Sequence, residues 1–77
     1  MAMAFVLINT EMGSENEVVD NLRKIDAIKE AYVTYGVYDV VAIVGADTME
    51  KVKDIVTWRI RRQDKVRASL TMIIIES

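Results

Sequence analysis

Cysteine, histidine and proline are absent from the 77-residue sequence, and glycine occurs three times. Each absence closes a class of function. Without cysteine there is no disulfide framework and no thiolate site. Without histidine the commonest general base and the commonest metal ligand are missing. Neither a Ser-His-Asp nor a Cys-His catalytic set can be assembled, and a zinc site built from carboxylates alone would be unusual. The scarcity of glycine and proline leaves no linker, so residues 1–77 read as one domain. Gly36 and Gly45 stand too far apart to make a phosphate-binding loop. A net charge of −2 gives no general basic face, so no direct nucleic-acid contact is expected. No apolar run approaches the ~20 residues that span a membrane. The N-terminus, MAMAFVLINTE, has no basic region before its apolar run and reads as a strand rather than a signal peptide. The expectation is a cytoplasmic protein with no metal and no cofactor.

What the chain does have is apolar residues, at 52%. A domain this short buries only about 60% of its unfolded surface. The apolar excess therefore points to an interface, and small domains often gain stability by oligomerising.

Six elements follow one another. Met3 to Thr10 is a nearly continuous apolar run rich in β-branched and aromatic residues, the pattern of a strand covered on both faces. Ser14 with Glu17 reads as a capping box opening a helix from about Glu15 to Ile25, with Val18, Leu22 and Ile25 at helical spacing. Ile28 to Tyr35 and Tyr38 to Val44 read as a hairpin joined tightly at Gly36-Val37, where glycine supplies a positive φ. Asp47 or Thr48 caps a second helix from Met49 to Arg62, Asp47 with Glu50 fitting a loose capping box. Met49, Val52, Ile55, Val56 and Ile60 form its apolar face. Val66 to Glu76 is the last strand.

The order strand, helix, strand, strand, helix, strand gives an α+β, ferredoxin-like βαββαβ fold. Right-handed crossovers place both helices on one face of a four-stranded antiparallel sheet. The other face stays bare yet apolar, and a face-to-face homodimer is the simplest way to cover it.

Few residues suggest chemistry. Glu15 with Glu17, and Asp47 with Glu50, lie at helix starts, where acidic residues complement the dipole. Arg59, Arg61, Arg62 and Arg67 could meet an anion or an acidic partner, though a solvated helix end accounts for them better. Trp58 is expected against the sheet edge or a neighbouring subunit. The stretch YGVYDVV at 35–41 is more suggestive. Asp39 opens a strand that is otherwise apolar, and Tyr35 and Tyr38 bracket a glycine. As a plain turn, Asp39 would bond local backbone amides. As a site, turn amides would take a carboxylate, Asp39 would hold an ammonium and Tyr38 would supply a wall.

The chain resembles the effector-binding (RAM) domain of the Lrp/AsnC transcriptional regulators. The segments AYVTYGVYDVVAIV at 31–44 and VRASLTMIII at 66–75 carry the resemblance. The family motif Gly-x-Tyr-Asp is matched by Gly36, Val37, Tyr38 and Asp39, and a Ser/Thr-x-Thr pattern by Ser69 and Thr71. Lys65 departs from the family, which commonly has glycine there.

The resemblance implies a non-catalytic, amino-acid-sensing oligomerisation module. Its implied ligand-binding residues are Gly36, Val37, Tyr38 and Asp39, with Ser69 and Thr71 on the last strand. It implies a dimer through the bare sheet face, assembling further to a tetramer, octamer or decamer. No DNA-binding helix-turn-helix precedes the first strand, so the chain resembles the stand-alone form, with full-length Lrp/AsnC-type regulators as possible partners. Two alternatives stay open: a dimeric α+β barrel enzyme of the cofactor-free monooxygenase or isomerase type, and a purely structural oligomerisation module.

Overall fold

A computed structural model describes residues 1–75. The elements are β1 (Ala2–Thr10), α1 (Glu15–Arg23), β2 (Ile28–Val33), β3 (Val40–Ala46), α2 (Met49–Ile55) and β4 (Val66–Ile74), with a π-helical turn over Val56–Ile60 continuing α2. The βαββαβ order is the one the sequence implies. The expected end of the last strand at Glu76 lies outside the described residues.

The sheet is antiparallel throughout, in the order β2-β3-β1-β4. β1 is central because it is apolar on both faces and has a partner on each side. Period-two alternation divides it cleanly. Ala4, Val6 and Ile8 are fully buried. They pack with Val40, Ala42 and Val44 of β3 and with Val18, Leu22, Val52 and Ile60 from the helical segments. Both helices thus bury the same face of the sheet. Truncating one of these large side chains, Leu22 for example, would cost about 2–5 kcal/mol.

The opposite face carries Met3, Phe5 and Leu7 of β1. Phe5 lies between Ile43 and Met72, and Leu7 between Val41 and Leu70, in the two ladders. Phe5, Leu70 and Met72 are exposed, as is Tyr32 of β2. This is a contiguous apolar sheet surface, and the helices lie on the other side.

Several local expectations need correction. α1 ends at Arg23 rather than Ile25, because its last turn tightens: the amides of Lys24 and Ile25 reach back only three residues, to Asn21 and Leu22. Ser14 makes no side-chain cap bond, so the box with Glu17 does not form. Its ψ of 8° departs from the extended backbone of a capping residue, which aims the hydroxyl at the first-turn amides. At α2, Thr48 is the cap: its backbone is extended and its hydroxyl accepts the Lys51 N–H at 3.2 Å. The Asp47–Glu50 box is therefore not the one used.

The second helix is not α-helical to Arg62. The amide of Arg61 bonds the carbonyl of Val56, five residues back, at 2.9 Å. The buried residues Val52, Val56 and Ile60 are spaced four apart. On an α-helix of about 3.6 residues per turn, each such step drifts by about 40°. A wider π turn takes up that drift and keeps Ile60 on the core.

The β2–β3 connection is also longer than the expected two-residue turn. β2 stops at Val33 and β3 starts at Val40, so residues 34–39 lie outside the ladder. The connection is closed by Thr34, whose N–H donates to the Asp39 carbonyl and whose hydroxyl donates to the Tyr38 carbonyl, both at 2.8 Å. Gly36 does take the positive φ foreseen for it, at 150°.

Candidate functional site

Asp39 is the best-anchored residue of the β2–β3 connection. Its N–H donates to the Ile8 carbonyl at 2.9 Å, and its own carbonyl accepts the Thr34 N–H. Its carboxylate Oδ2 accepts the Thr10 N–H at 2.9 Å. This is not the local turn bond that the sequence suggests, since the two residues are 29 apart. Three bonds to β1 and to the start of the loop fix the carboxylate where β3 begins beside the end of β1.

The carboxylate opens onto a hollow of about 270 Å³ lined by Thr10, Met12, Gly13, Glu15, Asp39 and Arg67. The volume is near the lower end of small-ligand sites, ~300–1,000 Å³. β1 brings Thr10, the β1–α1 turn brings Met12 and Gly13, α1 begins with Glu15, and β4 supplies Arg67. Gly13 takes a φ of 82°, a left-handed conformation that glycine adopts without strain and that turns the chain into α1. The Glu15 Oε1 is buried and accepts no hydrogen bond. The hollow thus combines two carboxylates and one guanidinium, groups that recognise a cation and an anion respectively.

The other site residues named from sequence fall elsewhere. Gly36 and Val37 are at the exposed tip of the connection, and Tyr38 is half-buried with its carbonyl tied to Thr34. None of the three lines the hollow. Ser69 pairs with Ile8 and Thr71 with Val6, on the far side of β1 from β3 and on the helix-facing side of β4. Both are half-buried, and neither lines the hollow.

Arg67, Glu15 and Thr10 are the residues that sequence reasoning did not place here. Arg67 was grouped with Arg59, Arg61 and Arg62, but the structure parts them. Arg62 lines a second hollow, of about 340 Å³, with Glu17, Asn21 and the 63–65 turn. The available signal was alternation: Arg67 lies two residues before Ser69, so a straight strand puts both on one face.

Trp58 does not pack on the sheet edge of its own chain. It is 59% exposed, with the Arg62 guanidinium 5.0 Å from its ring centroid, a cation–π contact. At the other end of the sheet, Tyr32 donates its hydroxyl to the Glu30 carboxylate at 2.6 Å. That bond, reinforced by the nearby negative charge, raises the Tyr32 pKa above its ordinary value. Among the described residues, no cluster of three or more potential metal-ligating side chains occurs, and no helix is long and apolar enough to cross a membrane.

Residues 3–77 match the model of the Lrp/AsnC ligand binding domain, and the chain belongs to that family. It is similar to the solved structure of FFRP-DM1, with 39% identity, a TM-score of 0.94, and coverage of 97% of this chain and 100% of that one. It is similar to the hypothetical protein PHS023 from Pyrococcus horikoshii, with 38% identity, a TM-score of 0.93, and coverage of 100% and 93%. The transcriptional regulator NMB0573 from Neisseria meningitidis, solved as a complex with L-Met, shares the fold at 13% identity and a TM-score of 0.84; 97% of this chain covers 50% of that one. A search among curated proteins gives no match. Fold and family together define a module of regulatory type.

Proposed function

We propose that the protein is a non-catalytic cytoplasmic sensor of a free amino acid, and that the hollow at Asp39 is where the amino acid enters. The observation that carries this reading is the fixed Asp39 carboxylate sharing a hollow with the Arg67 guanidinium. An amino acid presents an ammonium and a carboxylate on one carbon, and the hollow offers a partner for each. Family membership in a ligand-binding domain supports the reading, as does the L-Met complex of NMB0573, which shares the fold.

In this reading Asp39 binds the ammonium and Arg67 offers donors to the carboxylate, while the turn amides near Gly36, Val37 and Tyr38, which lie outside the hollow of their own chain, would come from a neighbouring subunit. Ser69 and Thr71 would contribute from a neighbouring subunit in a larger assembly. The apolar sheet face pairs two chains, and ligand at a junction between dimers favours the assembly that completes the site. Regulation would then pass to full-length Lrp/AsnC-type regulators through mixed assemblies.

The test is a thermal-shift screen of the twenty amino acids on the wild type and on Asp39→Asn. Asparagine keeps an oxygen for the Thr10 amide but removes the charge. A ligand at 100 times its Kd adds about 2.7 kcal/mol, which is several degrees for a chain of this size. Stabilisation by one or a few amino acids, lost in Asp39→Asn, supports the sensor. No shift with any of them overturns it.

A further inference from the structure

We infer that the free edge of β4 is an interface between two copies of this chain, in which β4 pairs antiparallel with β4 of its partner. The inference is independent of any ligand in the Asp39 hollow. It rests on where the backbone groups of the two outer strands point.

β2 and β4 are the outer strands of the sheet. An outer strand presents unpaired N–H and C=O groups, which proteins ordinarily block against further pairing. β2 is blocked. The Arg23 guanidinium donates to the Ala31 carbonyl from Nε at 3.2 Å and from Nη2 at 2.8 Å. The β2–β3 ladder shifts register between Ile28 and Glu30, and Lys29 and Glu30 are exposed charges. An added strand would meet an acceptor already taken, a bulge and two charges. β4 has no such protection over most of its length. It is nine residues long, with Arg67 as its one charge. Its ladder with β1 is continuous from Ala68 to Ile74, the register shift lying beyond, at Asn9/Thr10. Leu70, Met72 and Ile73 are exposed.

The direction of the edge groups follows from β1. The Ile8 carbonyl accepts the Asp39 N–H, so the backbone groups of Ile8 face β3. Alternation gives Val6 and Ala4 the same direction. Ser69, Thr71 and Ile73 stand opposite Ile8, Val6 and Ala4. Their own N–H and C=O groups therefore point away from β1, off the edge of the sheet. Leu70 and Met72, opposite Leu7 and Phe5, spend theirs on β1.

This row of groups is complementary to itself. A two-fold axis at Thr71 sets Thr71 opposite the partner's Thr71 and Ser69 opposite the partner's Ile73. Each of these pairs exchanges both of its N–H···O bonds. The Thr71 hydroxyls adjoin on the helix side, a favourable cross-strand pair. On the other side Leu70 adjoins the partner's Met72, so the two apolar sheet faces become one continuous surface. Arg67 falls opposite the partner's Ile75, and the two Arg67 side chains lie at opposite ends of the paired segment, so no like charges meet. The contact is isologous and closes at two chains. A head-to-tail contact of β4 on β2 would extend into a filament, and the Arg23 plug prevents it. The apolar face stays free, so face pairing can join two edge-paired dimers.

Hydrogen exchange followed by NMR on the intact chain reads the edge directly. In the wild type the amides of Ser69, Thr71 and Ile73 are expected to exchange ~100-fold or more slowly than unprotected amides, alongside those of Leu70 and Met72. Thr71→Lys sets two ammonium groups face to face across the axis. It should return Ser69, Thr71 and Ile73 to near-unprotected exchange, while Leu70 and Met72 stay protected and so report a strand still folded on β1. Thr71→Glu should do the same. An equimolar mixture of the two variants should restore protection, because each lysine then faces a glutamate. Free exchange at Ser69, Thr71 and Ile73 in the wild type, with Leu70 and Met72 protected, would overturn the proposal whatever the variants do. Protection that survives in both Thr71→Lys and Thr71→Glu would overturn it too. The thermal-shift screen is unaffected by either result, so the amino-acid reading stands or falls separately.

Discussion

The backbone N–H of Thr10 donates to the Asp39 carboxylate at 2.9 Å, so the last residue of β1 and the last residue before β3 are held together by a side chain. The Asp39 N–H returns a bond to Ile8. The central strand and the connection that carries the sequence motif are therefore one mechanical unit. Binding at the Asp39 hollow would be felt directly by β1, the strand that contributes Phe5 and Leu7 to the open face.

That bond predicts a separation between stability and charge. Asp39→Ala leaves the Thr10 amide without its partner and should destabilise by about 1.5–3 kcal/mol, the range for a hydrogen bond to a charged acceptor. Asp39→Asn keeps an acceptor and should lose less than about 1 kcal/mol. Urea denaturation of the two variants checks this. Equal losses would mean that the charge itself, rather than the acceptor, holds the connection.

The open sheet face predicts an association constant that depends on Phe5. Phe5 is flanked by Ile43 and Met72 at the middle of an apolar surface, and its side chain points away from the core. Phe5→Glu should leave the monomer fold intact, because no core contact is lost, and should abolish dimerisation through this face by placing a charge at its centre. Sedimentation velocity at micromolar concentration distinguishes the outcomes. A variant that sediments like the wild type would place any dimer contact elsewhere.

The architecture was legible because hydrophobic periodicity reports burial, and burial fixes which elements face each other. Val18 and Leu22, or Ala4, Val6 and Ile8, show their period without any tertiary knowledge. The local endings were less legible. Thr34 ends β2 early by bonding Tyr38 and Asp39, a choice made by two side-chain and backbone bonds that no propensity scale weighs. The π turn at Val56–Ile60 follows from four-residue spacing of buried side chains, a signal present in the sequence but easily taken for ordinary helix. The site was half legible. Asp39 stood out as the polar opening of an apolar strand, whereas Arg67 and Glu15 joined it only through the register of β4 and the start of α1.

The Tyr32–Glu30 pair predicts a late-titrating tyrosine. The 2.6 Å bond from the phenol to the carboxylate favours the neutral phenol, and the Tyr32 pKa is raised. A raised folded value means that whatever the contact contributes is present below the unfolded value of about 10. It is lost as pH climbs through the folded value. Ultraviolet titration of the wild type against Tyr32→Phe should isolate the Tyr32 phenolate and show it forming above the ordinary tyrosine value. Glu30→Gln should lower it toward that value by removing the charge. A Tyr32 component that ionises at the ordinary value in the wild type would rule the pair out in solution.

Trp58 offers an internal probe of assembly, since it is the single tryptophan and stands 59% exposed beside Arg62. In a dimer paired through the opposite sheet face it stays in water, so its emission should be that of a solvated indole and acrylamide should quench it strongly. Dilution across the dimer dissociation range should leave the emission unchanged, because the face that separates carries no tryptophan. Iodide, an anion, should quench more efficiently than a neutral quencher of similar size predicts, because Arg59, Arg61 and Arg62 surround the ring in sequence and Arg62 sits over it. Arg62→Ala should reduce that excess and leave acrylamide quenching little altered. A blue-shifted emission that moves red on dilution would show that the helical face, rather than the sheet, is buried between chains.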